Sequence, residues 1–273
     1  MPNLNPSEVR VMFGLKPDWW PAIEGYLTDS RFRPDMQDLS LIDPSEWDLI
    51  VPLTIEDQDL LDELHLTNAQ PVTPYVPHAL STLCDDKFSL NQRLIALGFA
   101  ALVPAVYCFA PADPDRYPLI RKPRRWSWGY GCSYVNSPQE AQPCDPQTEF
   151  LQAVVSPGDE WAAHLSFHNG ELIFAHAVHH HLAQSGLILG NLHSPVRSQH
   201  VAEVPFLDQW LNATRALGIQ DGTICIDFAI MDGHPYLYEI NPRIGGSLLP
   251  QLPRYLESQL STRNYLTNMT SVA

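Results

Sequence analysis

The sequence predicts a mixed protein, with a small α/β portion first and α+β portions after it. In the first 75 residues, short apolar runs alternate with segments of helical spacing, which is typical of a small α/β unit. In the second half, apolar runs flank tight turns, which is typical of antiparallel hairpins. The chain has 273 residues and is 45% hydrophobic, so it can bury a substantial core.

The first portion is predicted to span residues 1–75. Its expected elements are short segments bounded by Gly, Pro or polar residues: strands at 9–13, 48–52 and 71–75, and helices at 19–27 and 55–64. Asp18 directly precedes the first helix and is its expected N-cap.

A further helix is predicted near the start of the second portion. Apolar residues spaced for one helical face follow Asp85 and Asp86, either of which can cap the helix. Gly98 is expected to end the helix. Later in the chain, a helix is expected at 206–217, just before the most informative hairpin, and another at 248–260.

A lysine and two glycines form the first candidate site. Lys122 ends a short predicted strand at 118–123, and Gly129 and Gly131 lie in the loop that follows. The lysine supplies positive charge, and the glycines let backbone N–H groups approach an anion closely. The pattern indicates a phosphate site, and an ordinary surface turn is the alternative for an isolated Gly-x-Gly.

A hairpin is predicted around the Asn169-Gly170 turn, and histidines follow its return strand. They are His176 and the run His179, His180 and His181. Because consecutive strand residues point to opposite faces, the three adjacent histidines cannot all bind one metal. A polar loop is one interpretation, and contact with a phosphate or substrate is the other. Arg197 is a further basic candidate.

The strongest candidate site combines Asp227, Glu239 and Asn241. Glu239 and Asn241 are two residues apart in an apolar run, so their side chains leave the same face of a strand. Asp227 lies in the preceding apolar run, and the short turn between the runs lets them pair. Two carboxylates and an amide oxygen suit Mg²⁺, or alternatively Mn²⁺, that also holds phosphate oxygens. Arg243 follows and suits a phosphate or carboxylate.

Composition narrows the function classes. The net charge is −15, which argues against a nucleic-acid backbone or an anionic membrane as the main partner. No apolar run is long enough to span a membrane, and the polar N-terminus lacks the pattern of a signal peptide. The five cysteines include no pair with Cys-x-x-Cys spacing, which favours reduced thiols in the cytoplasm.

The stretch Tyr236-Leu-Tyr-Glu-Ile-Asn-Pro-Arg-Ile-Gly-Gly-Ser247 closely resembles the metal-binding signature of the ATP-grasp superfamily. Its residue pattern is nearer to that of carbamoyl-phosphate synthetase and biotin carboxylase than to that of D-alanine–D-alanine ligase. The resemblance implies an ATP-grasp fold, in which two α+β subdomains clasp ATP after a Rossmann-like subdomain. We therefore expect the first ATP-grasp subdomain at 76–150 and the second at 151–273.

The resemblance assigns the phosphate end of ATP to basic residues and glycines. Lys87, which follows the two candidate cap residues, matches the lysine that reaches the phosphates. Lys122 matches the strand lysine, and Gly129 and Gly131 match the flexible loop over the triphosphate. The loop departs from the family pattern, because it is rich in aromatic residues and arginines instead of glycine and serine.

The base and sugar of ATP are assigned to the next strand and its turn. The resemblance implies that the backbone of Ala153, Val154 and Val155 contacts the adenine edge, and that Glu160 holds the ribose. Relatives often place a glutamate near the adenine amino group, whereas Gln152 or Ala153 stands at that position here. Backbone carbonyls are therefore expected to carry more of the adenine recognition.

By resemblance, the expected activity is that of a carboxylate–amine ligase. ATP would phosphorylate a small-molecule carboxylate, and an amine would attack the acyl phosphate, which Arg243 and the backbone of Gly245, Gly246 and Ser247 would hold. A nucleotide-binding regulator and a kinase of the same fold are alternatives, and so is a zinc-binding hairpin unrelated to ATP. A homodimer is a further expectation.

Overall fold

The computed structural model describes residues 8–64, 71–126, 129–155, 158–183 and 194–270, the last eight of these by their backbone. In chain order the described strands are β1 (Val9–Gly14), β2 (Phe32–Gln37), β3 (Leu49–Val51), β4 (Val106–Tyr107), β5 (Leu119–Pro123), β6 (Ser133–Val135), β7 (Glu149–Ala153), β8 (Asp159–His168), β9 (Glu171–His181), β10 (Arg197–Val201), β11 (Gly222–Met231) and β12 (His234–Asn241). The helices are α1 (Trp20–Leu27), α2 (Ile55–Glu63), α3 (His78–Asp85), α4 (Lys87–Ala96), α5 (Leu207–Leu217) and α6 (Leu252–Thr270).

The first sheet is parallel and has the strand order β2-β1-β3. Strand β2 was not predicted, because Pro34 and Asp35 interrupt its apolar pattern; both are tolerated because the strand lies at the edge of the sheet. The strand predicted at 71–75 is wrong in extent. Only a single bridge between Leu49 and Val72 forms there.

The helices of this portion begin differently from one another. Asp18 is not the N-cap of α1, because a 3₁₀ turn at Pro17–Trp19 precedes the helix and Trp19 takes the capping position. Helix α2 begins with a capping box in which Thr54 and Asp57 exchange side-chain and backbone hydrogen bonds. The Asp57 carboxylate occupies the space that a Cβ on Gly14 would need, which explains the glycine at the end of β1.

The central sheet is antiparallel, with the strand order β10-β9-β8-β11-β12. The hairpins predicted around Asn169-Gly170 and between residues 231 and 235 both form. Helix α5 covers one face of this sheet, where its Trp210 packs against Phe228 of β11 in the largest buried cluster. The other face of the sheet is turned toward the candidate site.

A four-stranded antiparallel sheet, β4-β7-β5-β6, lies on the other side of the site. Helix α4 begins as predicted, with Asp86 as its N-cap accepting a hydrogen bond from the backbone N–H of Ser89 at 3.1 Å. Gly98 ends the segment in the left-handed conformation, with φ +92°. Helix α3 directly precedes α4 and was not predicted.

The portions pack on one another at several points. The C-terminal α6 joins the apolar cluster of the first sheet through Leu252, Tyr255 and Leu256, which are fully buried. Helices α3 and α4 contribute to the core of the central sheet. The subdomain boundaries at residues 75 and 150 stay a prediction.

None of the five cysteines forms a disulfide in the structure. In the described part of the chain, no helix is long and apolar enough to cross a membrane.

The start of β11 is held against the segment that connects the first portion to the rest. Gly222 has φ +94°, a conformation that residues with a Cβ rarely adopt. A Cβ at this position would lie 2.3 Å from the carbonyl oxygen of Tyr75. Since both strain and a backbone clash apply here, glycine is required.

We predict that Gly222→Ala lowers the free energy of unfolding by about 2–4 kcal/mol, the sum of left-handed strain and overpacking. Gly25→Ala is the matched control, because Gly25 lies in helix α1 with no atom within 4 Å of its added Cβ. The control should instead stabilise the protein by about 0.5–1 kcal/mol. Urea unfolding measures both variants, and equal effects would contradict the argument.

Candidate functional site

Pairing of β11 with β12 brings the predicted metal ligands together. Asp227 lies directly opposite Glu239, and Asn241 lies opposite Cys225, one pleat further along. The Asn241 amide nitrogen donates to Asp227 Oδ2 at 3.0 Å and to Glu239 Oε1 at 2.9 Å. The two carboxylates and the amide therefore form one cluster on the cleft face of the sheet.

Two lysines approach this cluster from the opposite side of the cleft. Lys87, the first residue of α4, places its Nζ 3.0 Å from Glu239 Oε2 and also donates to the carbonyl oxygen of Trp126. Lys122, from β5, is buried and donates to Gln152 Oε1 at 3.0 Å. The cleft thus places ammonium groups near carboxylates.

The charges in this cluster shift one another's pKa values. Burial and the neighbouring Glu239 carboxylate raise the pKa of Asp227 well above its usual range. Burial alone would raise the pKa of Glu239, but Lys87 and the Asn241 amide hold it well below its usual range. Burial lowers the pKa of Lys122. Nearby positive charge thus favours the ionised form of Glu239, whose charge in turn disfavours ionisation of Asp227.

A turn after β12 carries the residues predicted to bind substrate. Arg243 is followed by Gly245, Gly246 and Ser247, and Ser247 Oγ lies 2.9 Å from His164 Nε2. A Cβ on Gly245 would lie 2.9 Å from His164 Cε1 and 3.0 Å from Cys225 Sγ. Glycine is therefore needed here for close packing of the turn on the sheet.

These groups line a single cleft of about 670 Å³ between the central and the four-stranded sheets. Every residue assigned from the sequence to ATP, the metal or the acyl phosphate lines the cleft, except Gly131. A Cβ on Gly131 would lie 2.7 Å from Pro123 Cγ, so this residue packs against the end of β5 instead. Gly129 and Gly131 both have positive φ, +62° and +74°.

The loop that carries these glycines is tied to helix α4. Arg124 forms a salt bridge of 2.5 Å with Asp86, the cap residue, and Arg125 lies 3.8 Å from Asp85. The two arginines thus meet aspartates and not the centre of the cleft. Trp126 is 69% exposed and lines the cleft mouth.

Part of the segment predicted to contact adenine already forms hydrogen bonds within the protein. The Ala153 N–H donates to the Ala105 carbonyl at 2.8 Å, and the Val155 carbonyl accepts from the Tyr238 hydroxyl at 2.5 Å. Within the described residues, the buried Gln152 Nε2 has no hydrogen-bond partner. Gln152 and Tyr238 are therefore cleft residues whose contacts the sequence did not reveal, since both sit in ordinary strand patterns.

The histidines separate onto the two faces of the sheet. His180 faces the cleft beside Glu160, its partner across the β8–β9 pair. His179 and His181 point to the opposite face, where both lie 3.1 Å from Asp159. The guanidinium of Arg197 lies 3.4 Å from Gln199 Oε1 on exposed strand β10 and does not line the cleft.

Lys16 and Trp19 line the end of the cleft near the glycine turn, and neither residue was predicted to belong to the site. The Lys16 ammonium lies 3.7 Å from the centre of the Trp19 ring, and Trp19 packs 3.3 Å from where a Cβ on Gly246 would be. Sequence spacing gave no signal for either, because both come from the first portion of the chain.

Comparison with known proteins identifies the family. The family model described as an ATP-grasp domain matches residues 84–247, which is more than half of the chain. The chain belongs to the ATP-grasp family. The matched segment begins just before α4 and ends at Ser247, so it contains both lysines and the whole carboxylate cluster. No curated protein matches the chain at a significant level.

Solved structures share the fold, and this confirms the predicted fold class. D-Alanine–D-alanine ligase from Bacillus anthracis, complexed with ATP, aligns with a TM-score of 0.59 at 14% identity over 94% of this chain and 95% of that one. A D-cycloserine synthetase aligns with a TM-score of 0.61 at 14% identity, over 92% and 99%. L-Amino acid ligase from Bacillus licheniformis aligns with a TM-score of 0.57 at 16% identity, over 90% and 70%.

The carboxylate cluster has the donor set that a hard divalent cation needs. Asp227 and Glu239 offer oxygen atoms on one side of the cleft, and burial makes their mutual repulsion costly without a cation. Asn241 fits as a third ligand if its amide turns so that Oδ1 faces the carboxylates in place of Nδ2. These residues therefore fit Mg²⁺ or Mn²⁺.

The cleft face also carries histidines that resist protonation. Burial lowers the pKa of His164 to about 3, and burial and neighbouring histidines lower those of His176 and His180 to about 4. In the unfolded chain these groups titrate near 6.5. Between these values the unfolded state binds more protons, so stability rises with pH.

We predict that the free energy of unfolding falls as the pH is lowered from 6.5 toward 4. His176→Gln should lessen this fall, because it removes one group that the folded state keeps neutral. His78→Gln is the control. A hydrogen bond to Asp59 raises the pKa of this exposed histidine, so its removal should not lessen the fall. Urea unfolding at several pH values measures the slope, and an unchanged slope in His176→Gln would refute the assignment.

Proposed function

We propose that this protein is an ATP-dependent carboxylate–amine ligase. The observation that carries the proposal is the placement of Asp227, Glu239 and Asn241 against Lys87 and Lys122 across one cleft. Cationic and metal-binding groups on two facing walls suit a polyphosphate, whose charge both walls must neutralise. The fold shared with ATP-grasp ligases supports the same conclusion.

The chain's own residues would act mainly by positioning and by charge. Lys87 and Lys122 supply fixed positive charge at the phosphate end, and the low polarity around Lys122 strengthens its interaction with an anion. Gly129 brings backbone N–H groups near the same end. Asp227, Glu239 and Asn241 would hold Mg²⁺, which when bound neutralises phosphate charge.

The nucleoside end would lie along β7 and β8. Val154 and the Gln152 amide offer polar groups toward an adenine, while the neighbouring Val155 carbonyl is engaged by Tyr238. Glu160 lines the cleft on the adjacent strand and would hold the ribose. We expect Gln152 to replace the glutamate of relatives, with its amide oriented by Lys122 at 3.0 Å.

The acyl end would lie at the turn after β12. A substrate carboxylate would attack the γ-phosphate of ATP, which releases ADP and forms an acyl phosphate. An amine would then displace phosphate and form the amide. Arg243 and the backbone of Gly245 to Ser247 would hold the acyl phosphate oxygens, and His164 would orient the Ser247 hydroxyl.

The proposed substrates are small molecules, since the cleft of about 670 Å³ must also hold ATP. The D-alanine ligase and L-amino acid ligase among the structural relatives point to amino acids as the first compounds to test. The free thiols fit a reducing compartment, so we place the protein in the cytoplasm.

The test is ADP release with Mg²⁺-ATP against a matrix of amino acids and small carboxylic acids, with mass spectrometry on every positive pair. We expect substrate-dependent ADP and a condensed product. Glu239→Gln should lower the rate by at least about 100-fold, because it removes one of two charged oxygen ligands. Glu257→Gln is the matched control, since Glu257 pairs with Arg31 on the surface and should leave the rate unchanged.

Other outcomes distinguish the alternatives. A phosphorylated product without condensation would identify a kinase of this fold. Tight ATP binding without turnover on any pair would favour a nucleotide-binding regulator. Full activity of Glu239→Gln would refute the assignment of the carboxylate cluster itself.

A further inference from the structure

A second cluster of metal-ligating side chains lies at the open end of the β8–β9 hairpin. It consists of Asp159, His179 and His181, whose ligand atoms all lie within 4.8 Å of one another. His179 Nε2 is 3.1 Å from Asp159 Oδ2, and His181 Nδ1 is 3.1 Å from Asp159 Oδ1. The His179 nitrogen is buried and makes no hydrogen bond of good geometry within the described residues.

This cluster is separate from the cleft. Strand residues alternate between faces, so His179 and His181 leave one face of the sheet while His180 leaves the other. His180 lines the cleft beside Glu160, whereas Asp159 pairs with His181 in register and shares its face. The sheet itself therefore stands between this cluster and the carboxylates of the cleft.

The chemistry of the cluster differs from that of the cleft. Two imidazoles and one carboxylate suit borderline-soft divalent cations, above all Zn²⁺, whereas Mg²⁺ prefers oxygen ligands alone. Three protein ligands leave a fourth position for water or another group. We propose that Asp159, His179 and His181 form a zinc-class metal site on the reverse face of the ATP-grasp central sheet.

The surroundings fit a preformed site. The side chains of His179, His181 and Asp159 are 18%, 32% and 43% exposed, so an ion can enter from solvent. The His179 ring stacks on Trp161, with centroids 4.0 Å apart and planes at 7°, which fixes its orientation. Arg197 lies opposite His181 on the neighbouring strand, and its guanidinium is 3.4 Å from Gln199 Oε1.

Such a site would join the ends of β8 and β9. Asp159 belongs to β8 and both histidines to β9, so one cation would cross-link the two strands. Glu160 and His180, which lie between these ligands in sequence, would then be held in place on the cleft face. A bound cation would therefore fix the position of the cleft wall that Glu160 and His180 form.

The experiment measures metal binding directly, on protein whose affinity tag has been removed. Zn²⁺ is titrated by calorimetry in excess Mg²⁺, which competes for oxygen ligands but poorly for imidazoles. We expect one zinc site that Mg²⁺ does not displace. His181→Ala and Asp159→Asn should each weaken it by at least about tenfold, the lower limit for disturbing even the surroundings of a metal ligand.

Two variants serve as controls. His78→Gln removes a single exposed histidine–aspartate pair at 2.6 Å and should leave zinc affinity unchanged. Glu239→Gln disables the cleft cluster and should also leave it unchanged, so a failure of the ligase proposal would not affect this result. Equal zinc affinity in wild type, His181→Ala and Asp159→Asn would overturn the proposal, and so would displacement of the zinc by Mg²⁺.

A second readout uses Co²⁺ in place of Zn²⁺. Trp161 stacks on a proposed ligand, so a bound paramagnetic ion should quench its fluorescence. Trp161→Phe should lose this part of the quenching, and His181→Ala, which leaves the stacking residue in place, should lose it as well. Quenching that persists in both variants would place the ion elsewhere and refute the site.

Discussion

Two carboxyl groups held side by side in a partly buried cleft are the constraint on which this structure depends. Asp227 and Glu239 lie directly opposite each other in one hairpin, where burial and mutual repulsion disfavour ionisation. Lys87 and Lys122 come from separate elements to oppose them. Although the net charge of the protein is −15, these lysines place positive charge inside the cleft, where a triphosphate would need it.

The β11–β12 hairpin is held in place by hydrogen bonds of uncharged groups as well as by ion pairs. Gln58, fully buried in α2, donates to the Pro242 carbonyl at 2.7 Å and accepts from the Val76 N–H at 2.7 Å. It therefore links the first portion of the chain to the backbone between Asn241 and Arg243. Because both partners are buried, losing this side chain would leave two unsatisfied backbone groups.

Much of the site could be predicted because its residues are close in sequence. Strand alternation and a short turn sufficed to place Asp227 opposite Glu239. Contacts between distant segments could not be read in this way. The Tyr238 hydroxyl on the Val155 carbonyl and the Lys122 bond to Gln152 depend on how two sheets approach each other. Strand β2 escaped prediction because an edge strand needs no continuous apolar pattern.

The same alternation that made the carboxylate pair predictable also divides the histidine run. The sequence of β9 alone shows that adjacent histidines lie on opposite faces, but not which residues surround them. Pairing with β8 places different side chains beside the histidines on each face. Toward the cleft, His180 stands beside Glu160, among groups that we assign to a nucleotide. On the reverse face, Asp159 joins His179 and His181. The β8–β9 hairpin can thus face the proposed nucleotide cleft on one side and present the proposed zinc ligands on the other, because its backbone ladder separates the two sets of side chains.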